Sequence, residues 1–440
     1  MFAICAPPRP LLSSYSAVTR ACSVTASSTH YIDDGPFAVA PMMDYTDRFL
    51  RYMLRQLSSR ATLYTEMVTA NTIVHCKESE LSRFLAHDGA DPSQPVVLQI
   101  GGADPEMLRR AVEIAAPWGY TAVNLNVGCP SDRVAGAGCF GAALMRSPSL
   151  VGDCCAAMVD ATHGELPVTV KCRIGVTSDK KNAAVVDDEP TYEALSEFVE
   201  TVSTRGHVRA FSIHARKAVL GGLSPAQNRQ IPPLRYDLVR RLADDFPSLR
   251  FSLNGGVDSL AECSAQLARP ANRLSGVMVG RAVIARPWEF ATVDTALYGA
   301  AHDPAPSRRH VLDAYCQYAE RMQREDQHKI RRVLMAPALN LFSGEPHGKQ
   351  FRKVVDELAT TKRDMGAADV LRTAAERALR DDTLDAPPGH AFHMPTRQYL
   401  NPEDMATAVA ADHAKRAEQD RAADAEQHQQ QGEAEGAAAA

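Results

Sequence analysis

An apolar run at Ala122-Val123 continues through Asn124-Leu125-Asn126-Val127 and stops at Gly128-Cys129-Pro130. The glycine and the proline restrict the backbone on either side of Cys129 and so fix where its thiol stands. A free thiol titrates near about 8.5, stays mostly protonated near neutrality, and can therefore deliver a proton as a general acid. Cys129 also reads as a buried structural cysteine or as a nucleophile, although no base stands beside it in the local sequence.

Other side chains capable of chemistry end further apolar runs. Gln99, Lys171 and His214 form one set. A side-chain amide can pair with the edge atoms of a flavin ring, and a lysine near the ring's pyrimidine end favours the anionic reduced form. Lys171 is flanked by apolar neighbours in "VTVKCRIG". Burying an unpaired ammonium is costly, so a purely structural Lys171 requires a salt bridge. His214 alone reads equally as a satisfied core histidine; its company distinguishes it. Asn254-Gly255-Gly256 and Gly280-Arg281 form a second set. Glycines let backbone N–H groups approach phosphate oxygens, and a guanidinium adds a fork of donors. Each of these also reads as an ordinary glycine turn when taken alone.

The elements that must position these groups are short apolar runs: Phe37–Met42, Leu63–Val68, Val96–Gly101, Ala122–Val127, Val168–Cys172, Ala210–His214, Arg250–Leu253 and Gly276–Val279. Helix-period segments such as Pro105–Ala116 and Tyr192–Ser203 lie between them. Buried strands alternating with helices imply a parallel sheet. Eight units over about 250 residues match a TIM (β/α)8 barrel, whose C-terminal strand ends converge on one mouth and whose last two loops commonly bind phosphate. A doubly wound open sheet needs a Gly-rich fingerprint after an early strand, and none follows Met42 or Val68. Asp44, Glu66, Gln99, Asn126, Cys129, Lys171, Arg173, His214, Arg216, Asn254 and Arg281 all stand where runs stop.

The barrel is expected over residues 33–300 and a smaller all-helical domain over 305–380, with helices at His310–Glu325, Lys329–Leu341 and Gln350–Leu358. Basic residues crowd Arg321 to Lys353, among them Arg324, Lys329, Arg331, Arg332, Lys349 and Arg352. They suit a phosphate backbone, or simply a solvated helix face. Residues 381–440 hold 12 acidic and 4 basic residues, which leaves 41 acidic and 44 basic in the rest, so the body is mildly basic and the tail acidic.

No run approaches the roughly 18 apolar residues needed to cross a membrane, and no cysteine pair or Cys/His cluster has metal spacing, so neither a membrane nor a metal is expected. The cysteines read as reduced thiols. Residues 1–32 are rich in Ser and Ala, carry Arg9 and Arg20, and contain no acid. They read as a transit peptide to an organelle, plastid or mitochondrion, with small and hydroxylated residues favouring the plastid. Read instead as plain disorder or a misassigned start, they leave the chain cytoplasmic. Residues 386–440 read as a disordered, low-complexity tail.

Over roughly residues 36–358 the chain resembles the tRNA-dihydrouridine synthases, most closely their A-type branch. The segments that carry the resemblance are "APMMDYTDRFLRYMLRQLSSRATLYTEMVTANTIVH", "LQIGG", "NLNVGCPSDRVAGAGCFGAALM", "VTVKCRIG", "HARKAVLGGLSPAQNRQIPPL", "NGGV" and "GVMVGRAVIARPWEF". The resemblance implies a TIM barrel holding FMN, NADPH as reductant, and a helical tRNA-binding domain. It implies reduction of the C5=C6 bond of D-loop uridines around positions 20 and 20a of tRNA to 5,6-dihydrouridine. Hydride would pass from reduced FMN to C6, and Cys129 would donate the proton to C5. By the same resemblance, Pro41, Met42, Met43, Gln99, Lys171, His214, Asn254, Gly255, Gly256, Gly280 and Arg281 correspond to FMN contacts. Asn126, Arg229, Lys349 and Arg352 correspond to tRNA contacts. No obligatory protein partner is implied.

Three departures from that pattern stand out. Ala226 occupies a position that is usually basic, which weakens one expected phosphate contact. Cys172 stands where a His is frequent, and Val176–Glu189 is longer than in many bacterial members. Two other functions compete: an FMN barrel acting on a free pyrimidine, as in dihydroorotate dehydrogenases, and a tRNA-binding scaffold without catalysis. The first does not need a basic helical domain. The second predicts that flavin and proton-donor positions are lost, whereas all are present.

Overall fold

A computed structural model describes residues 35–88, 94–131, 140–178, 188–221, 223–325 and 331–389. The transit-peptide reading of 1–32, nearly all of the tail, residues 179–187 of the long segment and Lys329 lie outside the described residues.

Eight parallel strands close into a barrel. They are β1 (Phe37–Val39), β2 (Thr62–Thr69), β3 (Val96–Gly101), β4 (Ala122–Val127), β5 (Val168–Arg173), β6 (Ala210–His214), β7 (Arg250–Asn254) and β8 (Gly276–Val279). Closure is direct: β1 pairs with β8 on one side and with β2 on the other, which removes the open doubly wound sheet. The eight apolar runs all become barrel strands, with ends shifted by a few residues. The largest shift is in β1, which stops at Val39 instead of running to Met42. Ala40 still donates its N–H to the Val279 carbonyl at 2.8 Å, but Pro41 has no N–H to extend the ladder.

Period-two alternation sorts the strand residues. In β4 all six residues are buried. Val123, Leu125 and Val127 join the layer between sheet and outer helices. Ala122 faces the opposite way, into a small interior cluster with Ala38, Ala40, Tyr64, Val97 and Met278. That cluster plugs the N-terminal half of the barrel. Further along the strands the buried residues of the inward parity are polar: Gln99, Asn124, Thr169, Ser212, Ser252 and Asn254. The interior therefore changes from an apolar floor to a hydrogen-bonding chamber as the strands approach their C-terminal ends, where TIM-barrel sites form.

β2 departs from regular pairing. Its register against β3 shifts between Tyr64 and Met67, a bulge that bends the strand and re-aims its side chains. Thr65 Oγ1 compensates by accepting the Gln99 N–H at 3.0 Å.

Beyond the barrel run the helices Arg308–Glu325, Arg331–Met335, Gly348–Thr361, Ala367–Ala378 and Asp381–Asp385. The expected continuous helix Lys329–Leu341 is broken. Pro337 removes an N–H, and Ala336–Asn340 tightens into a 3-10 turn. These helices share one apolar cluster with β1, β8 and the helix Arg48–Leu57. Tyr318 stacks on Tyr52 with ring centroids 3.8 Å apart and donates to Asp88 Oδ2 at 2.6 Å. Arg308 pairs with Glu345, both nearly sealed from water at 4% and 7% exposure, and its guanidinium lies 4.7 Å from the Trp288 ring centroid.

Removing one partner of a sealed ion pair strands the other charge. Glu345→Ala is therefore expected to cost about 3–5 kcal/mol, whereas Arg308→Met with Glu345→Leu costs far less. Denaturant unfolding of the three proteins checks this.

Candidate active site

β4 delivers Cys129 through a single side chain. Asn126 Oδ1 accepts the N–H groups of Gly128 at 3.1 Å and Cys129 at 3.0 Å, an Asx-type turn that ends the strand. The Cys129 carbonyl accepts the Ala142 N–H at 2.8 Å, which holds the far side of the turn. Cys129 is a free thiol and is half-buried.

Asn126 is held in turn by its neighbours. Its Nδ2 donates to Gln99 Oε1, Gln99 Nε2 donates to Asn124 Oδ1, and Asn124 Nδ2 donates to Thr169 Oγ1, each at 2.8 Å. A relay of neutral amides thus runs from β5 through β4 and β3 to the backbone of Cys129. Neutral groups satisfied inside the barrel avoid the desolvation cost of buried charge, and each link fixes the next. Gln99 and Asn126 both stand at the expected place, but largely as parts of this relay. The oxygens of both amides are engaged, as is one N–H of each. Asn124 and Thr169 were missed by sequence reasoning; the period-two spacing of Asn124 and Asn126 is the signal that marks them.

Arg173, the last residue of β5, grips the loops around the thiol. Its side chain is 5% exposed. It donates to the carbonyls of Gly128 at 3.2 Å, Lys217 at 3.3 Å and Asn228 at 3.0 Å. Burial pushes its pKa down to about 9, with Arg216 and Arg229 adding to the effect and the nearby Cys129 opposing it. It remains a cation at neutral pH. Buried Asn228 closes the loop 219–228 by accepting the Val219 N–H at 2.7 Å and donating to the carbonyls of Val219 and Leu223. That loop presents Arg229, which is exposed. Arg216 is likewise buried and donates to the carbonyls of Gln230 and Pro232.

His214 lies in the middle of this positive rim. Burial, then Arg173, Lys171, Arg216 and Arg281, hold its pKa well below the ordinary histidine value, so its imidazole is neutral. Its Nδ1 is buried without a hydrogen-bond partner. The ring fits only because residue 255 is glycine: a Cβ there would stand 2.8 Å from His214 Nε2, and φ is +105°. Asn254 donates to the Met278 carbonyl at 2.7 Å, joining the ends of β7 and β8. Gly256 is also left-handed, at φ +78°. Lys171, half-buried, lies opposite Asn126 and Ser212 in register.

The remaining candidates fall in two places. Pro41 and Met42 are half-buried, while Met43 is exposed in the loop after β1, and Gly280 and exposed Arg281 follow β8. All belong to the mouth. Lys349 and Arg352 lie three residues apart on the helix Gly348–Thr361, and so on one face. Arg352 donates to Ser343 Oγ at 3.2 Å, and Asn340, two hydrogen bonds away, donates to the Ile284 carbonyl at 3.0 Å. Ile284 lies in the short helix that Arg281 opens. Among the described residues, Arg173, Arg229 and Arg281 make no ion pair. Three rim arginines without an ion pair among the described residues, two left-handed glycines and an imidazole nitrogen without a hydrogen-bond partner suit an anionic ligand with a polar-edged ring.

The depressed pKa of His214 makes stability pH-dependent. Below the unfolded value of 6.5 the unfolded chain takes up a proton that folded His214 refuses, so stability falls as pH drops from about 6.5. His214→Gln is expected to flatten the unfolding free energy between about pH 6.5 and 5 relative to the parent, as measured by denaturant titration at each pH.

Comparison with known proteins agrees with this architecture. The family model described as "Dihydrouridine synthase (Dus)" matches residues 38–379. A protein of Synechocystis named tRNA-dihydrouridine(20/20a) synthase is 43% identical over 343 residues, covering 78% of this chain and 94% of its own length. Proteins of the same name from Shigella flexneri and Escherichia coli K12 are each 44% identical over 328 residues, covering 74% of this chain and 88% and 87% of theirs. With a closed parallel barrel, a cysteine pinned at the end of its fourth strand and a match extending from β1 into the C-terminal helices, this chain belongs to the dihydrouridine synthase family.

Proposed function

We propose that this protein reduces the C5=C6 bond of D-loop uridines around positions 20 and 20a of tRNA to 5,6-dihydrouridine, with FMN as cofactor and NADPH as reductant. The observation that carries this reading is the half-buried Cys129 thiol, its backbone pinned by Asn126 beside a cationic rim. The uracil C5=C6 bond is conjugated to the C4 carbonyl, so C6 accepts a hydride and charge develops towards the C4 oxygen. Bound, reduced FMN supplies that hydride. Cys129 then gives its proton to C5, and the resulting thiolate, stabilised by nearby Arg173 and Arg229, regains a proton from solvent. One hydride and one proton account for the two added hydrogens.

For the cofactor, Lys171, His214, Asn254–Gly256, Gly280 and Arg281 form the holding set, with Pro41–Met43 beside Gly280 on the loop after the neighbouring strand β1 and Gln99 contributing its remaining amide hydrogen. A uridine inside folded tRNA is out of reach of a barrel mouth, so it must be extruded to meet the thiol. Arg229 at the mouth and Lys349 with Arg352 on the helix face supply cations for the backbone of the same RNA.

The test uses full-length protein and its Cys129→Ala variant with NADPH and tRNA lacking dihydrouridine, mapping product by its block to reverse transcription. Product at a D-loop uridine is expected, reduced about a hundredfold or more in the variant while its yellow cofactor stays bound. Oxidation of NADPH by free uridine or orotate, with tRNA left untouched, would instead identify a small-pyrimidine reductase.

A further inference from the structure

Three large apolar side chains are exposed among the described residues: Met43, Tyr45 and Val333. Two of them flank Asp44 in one turn after β1, at the barrel mouth. This turn is held from several sides. Asp44 is left-handed, at φ +65°, a conformation rare outside glycine. Its N–H is captured by Glu66 Oε1 at 2.6 Å. Glu66 comes from the bulge in β2, where the register shift frees a side chain to reach the neighbouring loop. Burial pushes the Glu66 carboxyl up, so its placement opposes solvation. Behind the turn, wholly buried Thr46 accepts the Met42 N–H at 2.9 Å, and the Tyr45 and Thr46 N–H groups both reach the Met42 carbonyl. A left-handed turn residue, a bulge and a half-buried carboxylate together fix the backbone that carries Tyr45, whose side chain is 54% exposed.

A fixed backbone beneath an exposed aromatic face suits stacking, because less ordering entropy is lost on binding than from a mobile loop. The neighbouring charge narrows the ligand. Arg229, exposed on the loop after β6, lies within electrostatic reach of the Tyr45 phenol. A π-face beside an arginine without an ion pair among the described residues matches an unstacked base together with its phosphate. We propose that Tyr45 is a stacking platform for a nucleobase adjacent to the extruded uridine, with Arg229 taking the intervening phosphate and Glu66 positioning the turn. This rests on the tRNA-reduction reading above.

Full-length wild type, Tyr45→Ala and Tyr45→Phe are compared by gel shift against tRNA lacking dihydrouridine, at one fixed salt concentration, with flavin content read by absorbance. Tyr45→Ala is expected to weaken tRNA binding about tenfold with flavin content unchanged, whereas Tyr45→Phe, which keeps the ring, binds like wild type. Unchanged affinity in Tyr45→Ala overturns the platform. Loss of flavin from Tyr45→Ala also overturns it, because the ring then serves the cofactor. A wild type that holds flavin yet neither binds nor modifies tRNA overturns the tRNA reading itself, and the platform with it.

Discussion

One oxygen atom, Asn126 Oδ1, converts a buried strand into a positioned thiol. It takes two successive backbone N–H groups that would otherwise continue the β4 ladder, and so turns the chain at the rim of the barrel. An asparagine can do this only if its own orientation is fixed, and the amide relay through Gln99, Asn124 and Thr169 fixes it. That relay depends on closure of the barrel, because its members come from three adjacent strands and are paired inside a space only eight strands enclose. The placement of Cys129 is thus a property of the whole sheet more than of the loop that carries it.

Electrostatics makes a second, opposed demand. Arg173, Arg216 and His214 are all buried near the same rim, and burial together with the cations there holds His214 neutral. Arg173 is tolerated because three backbone carbonyls solvate it, one from the segment after β4 and two from the segment after β6. The rim therefore uses charge twice, to tie loops together and to leave a positive potential at the mouth. A ligand that brings negative charge relieves this repulsion, and by linkage it stabilises the fold that holds it.

The barrel was legible in the sequence because its signal is local. Each run is short, apolar and bounded by glycine or proline, and buried parallel strands need nothing else. Candidate residues at strand ends were legible for the same reason, since a polar residue ending such a run must face the mouth. Their couplings were not. That Asn126 bonds Gln99 depends on strand stagger, and that Arg173 reaches Asn228 depends on a return across 55 residues of chain. The β2 bulge was equally invisible, because Thr65 and Glu66 sit within a short run bounded by apolar residues, and the register shift exists only in the pairing with β3. Proline explains both corrected boundaries, at Pro41 and Pro337, where an apolar pattern continues through a residue that cannot donate.

The C-terminal helices are more than an appended surface. They share a continuous apolar cluster with β1, β8 and the helix after β1. The sealed Arg308–Glu345 pair and the Tyr318 stack against Tyr52 fix their seat on the barrel. The Asn340 bond to the Ile284 carbonyl then joins the loop before Arg352 to the helix opened by Arg281. A basic face on a freely tethered domain would raise only the local concentration of RNA. A basic face bonded to the rim also has a fixed distance from Cys129, which is what the proposed choice of one uridine along a folded strand requires.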